Sequence, residues 1–158
     1  MKQKHRRPPQ EPTETFEERF ERIVEAALEK CKTNGDMNGH AIGFDQADDM
    51  HILFNHVDHH RHTEIFSQNV RRYFRMKKVR EYYFISTGWS VTATTPIGKR
   101  RVEEAADRRE LHKHPERKEI AFMIGVRGDR KRAKVFLINR SGPNEDDEVL
   151  GFELIQEY

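Results

Sequence analysis

The stretch that decides the fold is residues 119–140, which read Glu-Ile-Ala-Phe-Met-Ile-Gly-Val-Arg-Gly-Asp-Arg-Lys-Arg-Ala-Lys-Val-Phe-Leu-Ile-Asn-Arg. Two apolar runs, at residues 120–126 and 135–138, flank a polar turn at Gly128 and Asp129, and this pattern predicts a β-hairpin. Both runs are apolar at consecutive positions, so they predict strands inside a sheet that is covered on each side. The remainder of the chain must therefore extend this sheet or cover it.

Composition limits the class of protein. The length of 158 residues suits one domain, and the apolar residues fall in periodic clusters, which is typical of a folded chain although hydrophobic residues make up only 35%. The single cysteine, Cys31, excludes a disulfide within the chain and favours a reduced compartment. No apolar run approaches the ~20 residues of a membrane span, and the charged N-terminus lacks the apolar core of a signal peptide. We therefore expect a soluble, cytoplasmic protein without a membrane partner.

The first half of the chain predicts a tail, a helix, a hairpin and a second helix. Residues 1–12 are basic and proline-containing and predict a flexible tail ahead of a single domain at residues 13–158. Apolar residues at helical spacing predict a helix over residues 15–31, with a capping box formed by its first residues. Residues 39–57 predict a second hairpin, and Asp58 is the expected N-cap of a helix that runs to about Val79.

The second half predicts more strands around a charged excursion. Residues 81–94 are rich in aromatic and β-branched residues and predict a long strand. Residues 96–115 are highly charged, with one short helix expected near residues 102–111, and residues 149–155 predict a final strand. This order predicts an α+β fold, with a mainly antiparallel sheet of about five or six strands and two helices packed on one face. The expected core comprises Phe20, Leu28, Phe84, Ile120, Ile124, Val135 and Leu137.

Four short stretches carry a resemblance: a strand end at residues 86–89, a charged run at residues 114–119, and residues 138–140 and 150–151. Their arrangement resembles a group of small, uncharacterised bacterial and phage proteins. Members of that group have a Ser-Glu-Ala-Trp-like strand end followed by Pro-Asp-Arg-x-Glu, whereas this chain reads Ser-Thr-Gly-Trp and lacks the acidic residue. The resemblance covers roughly residues 39–152; it implies a phage or mobile-element origin and no particular biochemical activity.

Histidines form the first candidate site. Five of them crowd the end of the second hairpin and the start of the second helix: His51, His56, His59, His60 and His62. Neutral imidazoles are common zinc ligands, so a metal-dependent hydrolase that uses this cluster is one hypothesis, with His56, Asp58 and His60 as the metal ligands. The cluster has no cysteine and no His-Glu-x-x-His pattern, and we therefore favour exposed histidines without a metal.

Basic residues form the second candidate site, which lies on two surfaces. The predicted binding residues are Arg127, Arg130, Lys131, Arg132 and Lys134 at the hairpin tip, and Arg71, Arg72, Arg75 and Lys78 at the end of the second helix. A two-stranded ribbon with a basic tip is suited to a DNA groove or to phosphates. The acidic residues 145–148 offer the alternative that the tip is neutralised within the protein.

The chain lacks the phosphate-binding loop, the nucleophile elbow and the glycine fingerprint of a dinucleotide site. No cofactor is therefore expected, and an enzyme is not favoured. The sequence favours a small non-enzymatic binding protein of phage or mobile-element type, which acts on a protein or nucleic-acid partner. The alternative is the metal-dependent hydrolase that uses the histidine cluster.

Overall fold

The computed structural model describes residues 7–55, 61–108, 110–144 and 146–158, and of residues 61–64 it describes the backbone alone. The elements are α1 (Phe16–Asn34), β1 (His40–Phe44), β2 (Met50–Phe54), α2 (Arg61–Met76), β3 (Glu81–Ser90), α3 (Pro96–Asp107), a 3-10 turn (Leu111–Lys113), β4 (Lys118–Arg127), β5 (Arg130–Arg140) and β6 (Val149–Glu157). The six strands form one antiparallel sheet in the order β2-β1-β3-β4-β5-β6. The predicted α+β class and antiparallel sheet are therefore confirmed.

The hairpin formed by β4 and β5 is confirmed. Arg127 pairs with Arg130, so the turn has two residues, and Gly128 at its first position has a φ of 60°. A two-residue hairpin turn that has a positive φ at this position favours glycine there. Both strands extend beyond the apolar runs. In β5 the extension is residues 130–134, four of which are basic, and these residues pair with β4.

The helix α1 begins at the predicted capping box and covers the first face of the sheet. The side chain of Thr15 accepts a hydrogen bond from the backbone of Glu18, whose side chain accepts one from the backbone of Thr15. Gly35 ends the helix with a φ of 78°. The apolar stripe of α1 packs against the sheet in one buried cluster, which includes Tyr83 and Ile85 of β3.

The helix α2 covers the second face, and the expectation that both helices pack on one face is wrong. Phe74 of α2 packs in a separate cluster with Tyr82 and Phe84 of β3. These residues alternate with Tyr83 and Ile85, and alternate residues of a strand point to opposite faces. Because both sets are apolar, the sheet needs cover on each side, and the chain supplies one helix for each face.

Other boundaries differ from those predicted. The helix α3 lies at residues 96–107, earlier than expected, because Thr95 caps it and a proline follows. The expected N-cap Asp58 lies outside the described residues, as does the start of the basic tail. Arg7 pairs with Asp49 at 2.9 Å, and the backbone N–H of Gln10 donates to the carbonyl of Gln46, so residues near the end of that tail contact the turn between β1 and β2.

The predicted core is confirmed in part. Phe20 is fully buried in the cluster beneath α1, but Ile124 is 40% exposed. The other expected core residues are half-buried: Leu28, Phe84, Ile120, Val135 and Leu137. The exposure of Ile124 shows that part of the second face has no cover from the described residues.

A buried ionic network joins α1 to the sheet at the end that carries the hairpin tip. The guanidinium of Arg19, with a side chain 2% exposed, donates to Glu14, Asp48 and Glu81 over 2.8–3.0 Å. Arg127 donates to Glu81 at 2.8 Å, and so the buried carboxylate has two cationic partners. Burial alone would raise the pKa of Asp48, but hydrogen bonds led by that from Arg19 outweigh burial and lower the pKa to about 2.

We predict that Phe20→Ala lowers the free energy of unfolding by about 3–5 kcal/mol, because the substitution leaves a cavity in the core between α1 and β3. Equilibrium urea denaturation measures the difference. Ile97→Ala is the control, since Ile97 is 70% exposed on α3 and its truncation should change stability by less than about 0.5 kcal/mol. Equal stability of Phe20→Ala and the parent would refute the packing of α1.

We predict that Asp48→Asn destabilises the protein by about 2 kcal/mol at neutral pH and that this deficit disappears in acid. The pKa of Asp48 is lowered on folding, so its stabilising contribution is present above about pH 4 and is lost as the pH falls to about 2. Urea denaturation of both proteins across this range measures the effect, with Asp129→Asn in the exposed hairpin turn as the control. A deficit that stays constant as the pH falls would contradict this role of Asp48.

Candidate binding face

The basic hairpin tip is largely neutralised by acidic residues of the protein itself. Residues 130, 132 and 134 alternate along β5 and point to the first face, where α1 lies. Their ion pairs are Arg130 with Glu17, Arg132 with Glu157, and Lys134 with Glu21 at 2.8 Å. Arg127 belongs to the buried network with Glu81. These four predicted binding residues therefore have carboxylate partners within the protein, although the side chain of Arg130 remains 56% exposed.

The described part of this acidic run, residues 146–148, is not the source of this neutralisation. These residues belong to the connection between β5 and β6, at the end of the sheet opposite to the hairpin tip. That connection is held by Arg140, which donates to the carbonyl of Asp147 at 2.9 Å and makes two hydrogen bonds to Glu119. The hairpin tip is neutralised within the protein, as that alternative expected, but the acidic groups come from α1 and from the end of β6.

The basic residues at the end of α2 differ from those of the hairpin tip in that they have no acidic partners among the described residues. Arg71, Arg72 and Arg75, with Lys78 just after the helix, are exposed, and none of them forms an ion pair in the described part of the chain. Lys131 of the tip shares this property, and its place in the ladder opposite Val126 directs it to the second face, on the side of α2. The available predicted residues are thus Arg71, Arg72, Arg75, Lys78 and Lys131.

Two contacts fix how α2 is rotated on the second face. The hydroxyl of Tyr73 lies 3.2 Å from Nδ1 of His51 on β2, the edge strand. The ring of Phe74 lies 6.4 Å from the ring of Tyr82 on β3. Tyr73 lies over β2 and Phe74 lies over β3, and β4 is the next strand beyond β3. Rotation around the helix from Tyr73 to Phe74 therefore moves away from β2 and towards β4.

Arg71 and Arg75 lie on the flank of α2 that faces β4. They are one helical turn apart, so they share a flank, and they lie beyond Phe74 in the direction away from β2. Arg72 lies 100° further round from Arg71 and points outward, towards the β2 side. Arg71, Arg72 and Arg75 border one shallow hollow on the outward side of α2, and Arg71 is the nearest of the three to β4 around the helix.

The sheet beside this flank is apolar and uncovered by the described helices. The second-face residues of β4 and β5 are Ile120, Phe122, Ile124, Val126, Ala133, Val135 and Leu137. They belong to neither buried cluster, whereas α2 packs over β1, β2 and β3. The helix α3 has no buried residue, and the seven side chains are half-buried or, at Ile124, exposed. We call these seven residues the open half of the second face.

The open half has the size of one helix. Neighbouring strands lie about 4.8 Å apart, so the two strands β4 and β5 together present a surface about 10 Å wide. A helix with its side chains is about 10–12 Å in diameter. Arg71 and Arg75 border this space along α2, and Lys131 lies at the end near the hairpin tip. The open half and these three cations form the candidate binding face.

The histidine cluster does not form a metal site among the described residues. His51 is engaged elsewhere, because its Nε2 lies 2.8 Å from Asp45 and its Nδ1 contacts Tyr73. The predicted ligands His56, Asp58 and His60 lie outside the described residues. In the remainder of the chain, no three His, Cys, Asp or Glu side chains are close enough to share a metal ion. The hydrolase therefore stays a hypothesis.

Sequence reasoning missed the open half, although one signal for it was present. The strand β4 is apolar on both faces, and only α1 and α2 have strong apolar stripes, so two helices had to cover both faces of a wide sheet. Sequence reasoning also missed the partners of the tip cations. Glu17 and Glu21 lie one helical turn apart on α1, at the spacing that presents two carboxylates on one face.

None of the described helices is long and apolar enough to cross a membrane. The chain matches no protein-family model, no curated protein and no solved structure. The resemblance to small bacterial and phage proteins therefore stays a prediction.

Proposed function

We propose that the chain is a non-enzymatic binding protein whose partner is a protein that presents an amphipathic helix with an acidic flank. One observation carries this proposal: an apolar half of the sheet lies beside arginines that have no carboxylate partner among the described residues. The partner helix would lie on the open half and would complete the layer that α2 begins. No reaction is required of the chain.

In this proposal, the apolar side chains of the open half supply the affinity. Large contiguous apolar patches on a folded protein mark sites of interaction, and burial of such a surface contributes roughly 25 cal/mol per Å². The side chains of the open half are mostly aliphatic, with Ile124 the most exposed at 40%. A helix that presents leucine or isoleucine at positions i, i+3, i+4 and i+7 has an apolar face that can pack against the open half.

The arginines supply orientation and specificity. Arg71 and Arg75 are one helical turn apart, so two carboxylates one turn apart on an adjacent helix can pair with both of them. Lys131 adds a positive charge at the end of the open half that lies near the hairpin tip. A partner helix with glutamates along the side that faces α2 is favoured, and one with lysines there is repelled.

A nucleic-acid partner fits the same face less well. Single-stranded nucleic acids gain affinity when their bases stack on aromatic side chains, and the open half offers one aromatic ring, that of Phe122, among aliphatic residues. Most of the tip cations that were expected to contact phosphate are paired with carboxylates. We therefore favour a protein partner, and we propose that it is met in the cytoplasm, where a lone buried thiol such as that of Cys31 remains reduced.

We predict that the parent protein binds a designed helical peptide with leucines on one face and glutamates on one flank, with a roughly micromolar Kd. Arg71→Ala combined with Arg75→Ala should weaken binding about tenfold or more, because two charge-assisted hydrogen bonds are lost. Arg72→Ala is the matched control and should weaken binding much less, since Arg72 is the farthest of the three arginines from β4 around the helix. Fluorescence anisotropy with labelled peptide measures all three.

Two further comparisons make the test specific. Ile124→Asp should abolish binding without loss of the fold, because this side chain is exposed, and circular dichroism checks the fold. The same peptide with lysines in place of glutamates should bind weakly or not at all. Equal binding of both peptides, or equal losses in the Arg72 and Arg71/Arg75 variants, would contradict the proposal. Binding of duplex or single-stranded oligonucleotides in place of the acidic peptide would favour a nucleic-acid partner.

A further inference from the structure

The strand β2 is an edge of the sheet, and among the described residues it carries none of the usual protection. It lies at one end of the strand order, and it reads Met-His-Ile-Leu-Phe, without a charged residue or a proline. Its pairing with β1 is regular from Met50 to Phe54. Folded proteins guard their edge strands with lysines, prolines, bulges or inward charges, because an open edge accepts another strand.

The opposite edge shows the contrast. The strand β6 has irregular pairing with β5 at two places, between Val135 and Phe136 and between Asn139 and Arg140. It also carries Glu153 and Glu157. These features hinder the addition of a further strand to β6. The difference between the two edges indicates that β2 is the one on which a strand can add.

The side chains of β2 on the first face form an exposed apolar stripe. Met50 is 57% exposed and Ile52 is 39% exposed, with Phe54 next in the same stripe. They line a groove of about 820 Å³, which Ala26 and Lys30 of α1 also line. The groove exists because α1 contacts β4 and β6 and leaves the β2 side of the first face uncovered.

The second face of β2 is already engaged, so the strand is held in a fixed position. His51 binds Asp45 at 2.8 Å and contacts Tyr73 of α2, and Leu53 packs against the cluster beneath α2. These contacts tie β2 to its own turn and to α2. A rigid edge loses little conformational freedom when a strand adds to it.

We propose that β2 pairs with β2 of a second copy of this chain, antiparallel and around a two-fold axis at Ile52. In this register Ile52 faces Ile52 of the partner subunit, and Met50 faces Phe54 of the partner subunit. The apolar stripes of both copies then lie side by side on the same face of one continuous sheet. A two-fold interface requires a surface that is complementary to itself, and an uncharged strand that is apolar at its first, third and fifth residues meets that requirement.

The size of this surface determines the strength of the dimer. Stable interfaces bury about 800 Å² on each partner, which is more than one five-residue strand offers. The dimer should therefore be weak, with a Kd in roughly the micromolar range or above, and its population should depend on concentration. This association uses an edge remote from the open half of the second face, so it is independent of the proposed helix binding.

Sedimentation velocity over a concentration series tests the proposal. The parent protein should shift from monomer to dimer as its concentration rises, and Ile52→Lys should remain monomeric. Ile97→Lys is the matched control, since it places the same residue at an exposed isoleucine of α3, and it should dimerise like the parent. A parent that stays monomeric throughout, or an Ile52→Lys variant that dimerises equally, would overturn the proposal.

Disulfide trapping tests the register and does not depend on how the lysine variant folds. Residues opposite each other in a β-ladder have Cβ atoms about 4.5–5.5 Å apart. Ile52→Cys should therefore form a disulfide between two copies under mild oxidation, while the native Cys31 is buried and does not react. Leu150→Cys on β6 should cross-link far more slowly, and Met50→Cys should cross-link efficiently only together with Phe54→Cys. Equal rates for Ile52→Cys and Leu150→Cys would overturn the two-fold pairing.

Discussion

The width of a sheet that is apolar on both faces is the constraint on which this structure depends. Six strands are wider than the one helix that lies on each face, so neither face is covered across its whole width by the described helices. The helix α1 leaves the β2 side of the first face open, and α2 leaves β4 and β5 open on the second. Both surfaces on which we base a proposal exist because the sheet is wider than the helices that cover it.

The ionic network determines which of the predicted cations remain available. Arg19 is almost fully buried and contacts three carboxylates, among them Glu81, which also binds Arg127. A buried charge is costly unless it is paired, so these contacts hold α1 in one place over the hairpin. In that place α1 presents its own glutamates to the hairpin, and the tip becomes nearly neutral. The arginines of α2 lie on the other face, beyond the reach of α1.

Sequence reasoning succeeded where the signal is local. The capping box of α1 and the hairpin turn at Gly128 follow from adjacent residues, and both are confirmed. It failed where the outcome depends on which face an element occupies. The apolar character of Ile124 predicted burial, but its exposure depends on the placement of α2, which is fixed by packing against Tyr82 and Phe84. Charge along the chain likewise did not reveal that residues 130 and 131 point to opposite faces.

The measurement that tests the central claim most directly is isoleucine methyl NMR during titration with the acidic helical peptide. If a helix completes the second face, the methyl resonances of Ile120 and Ile124 shift and show contacts with the apolar side chains of the peptide. The resonance of Ile85, which lies beneath α1 on the first face, stays unchanged. Shifts confined to the first-face residues Ile42 and Ile85, with Ile124 unaffected, would contradict the account.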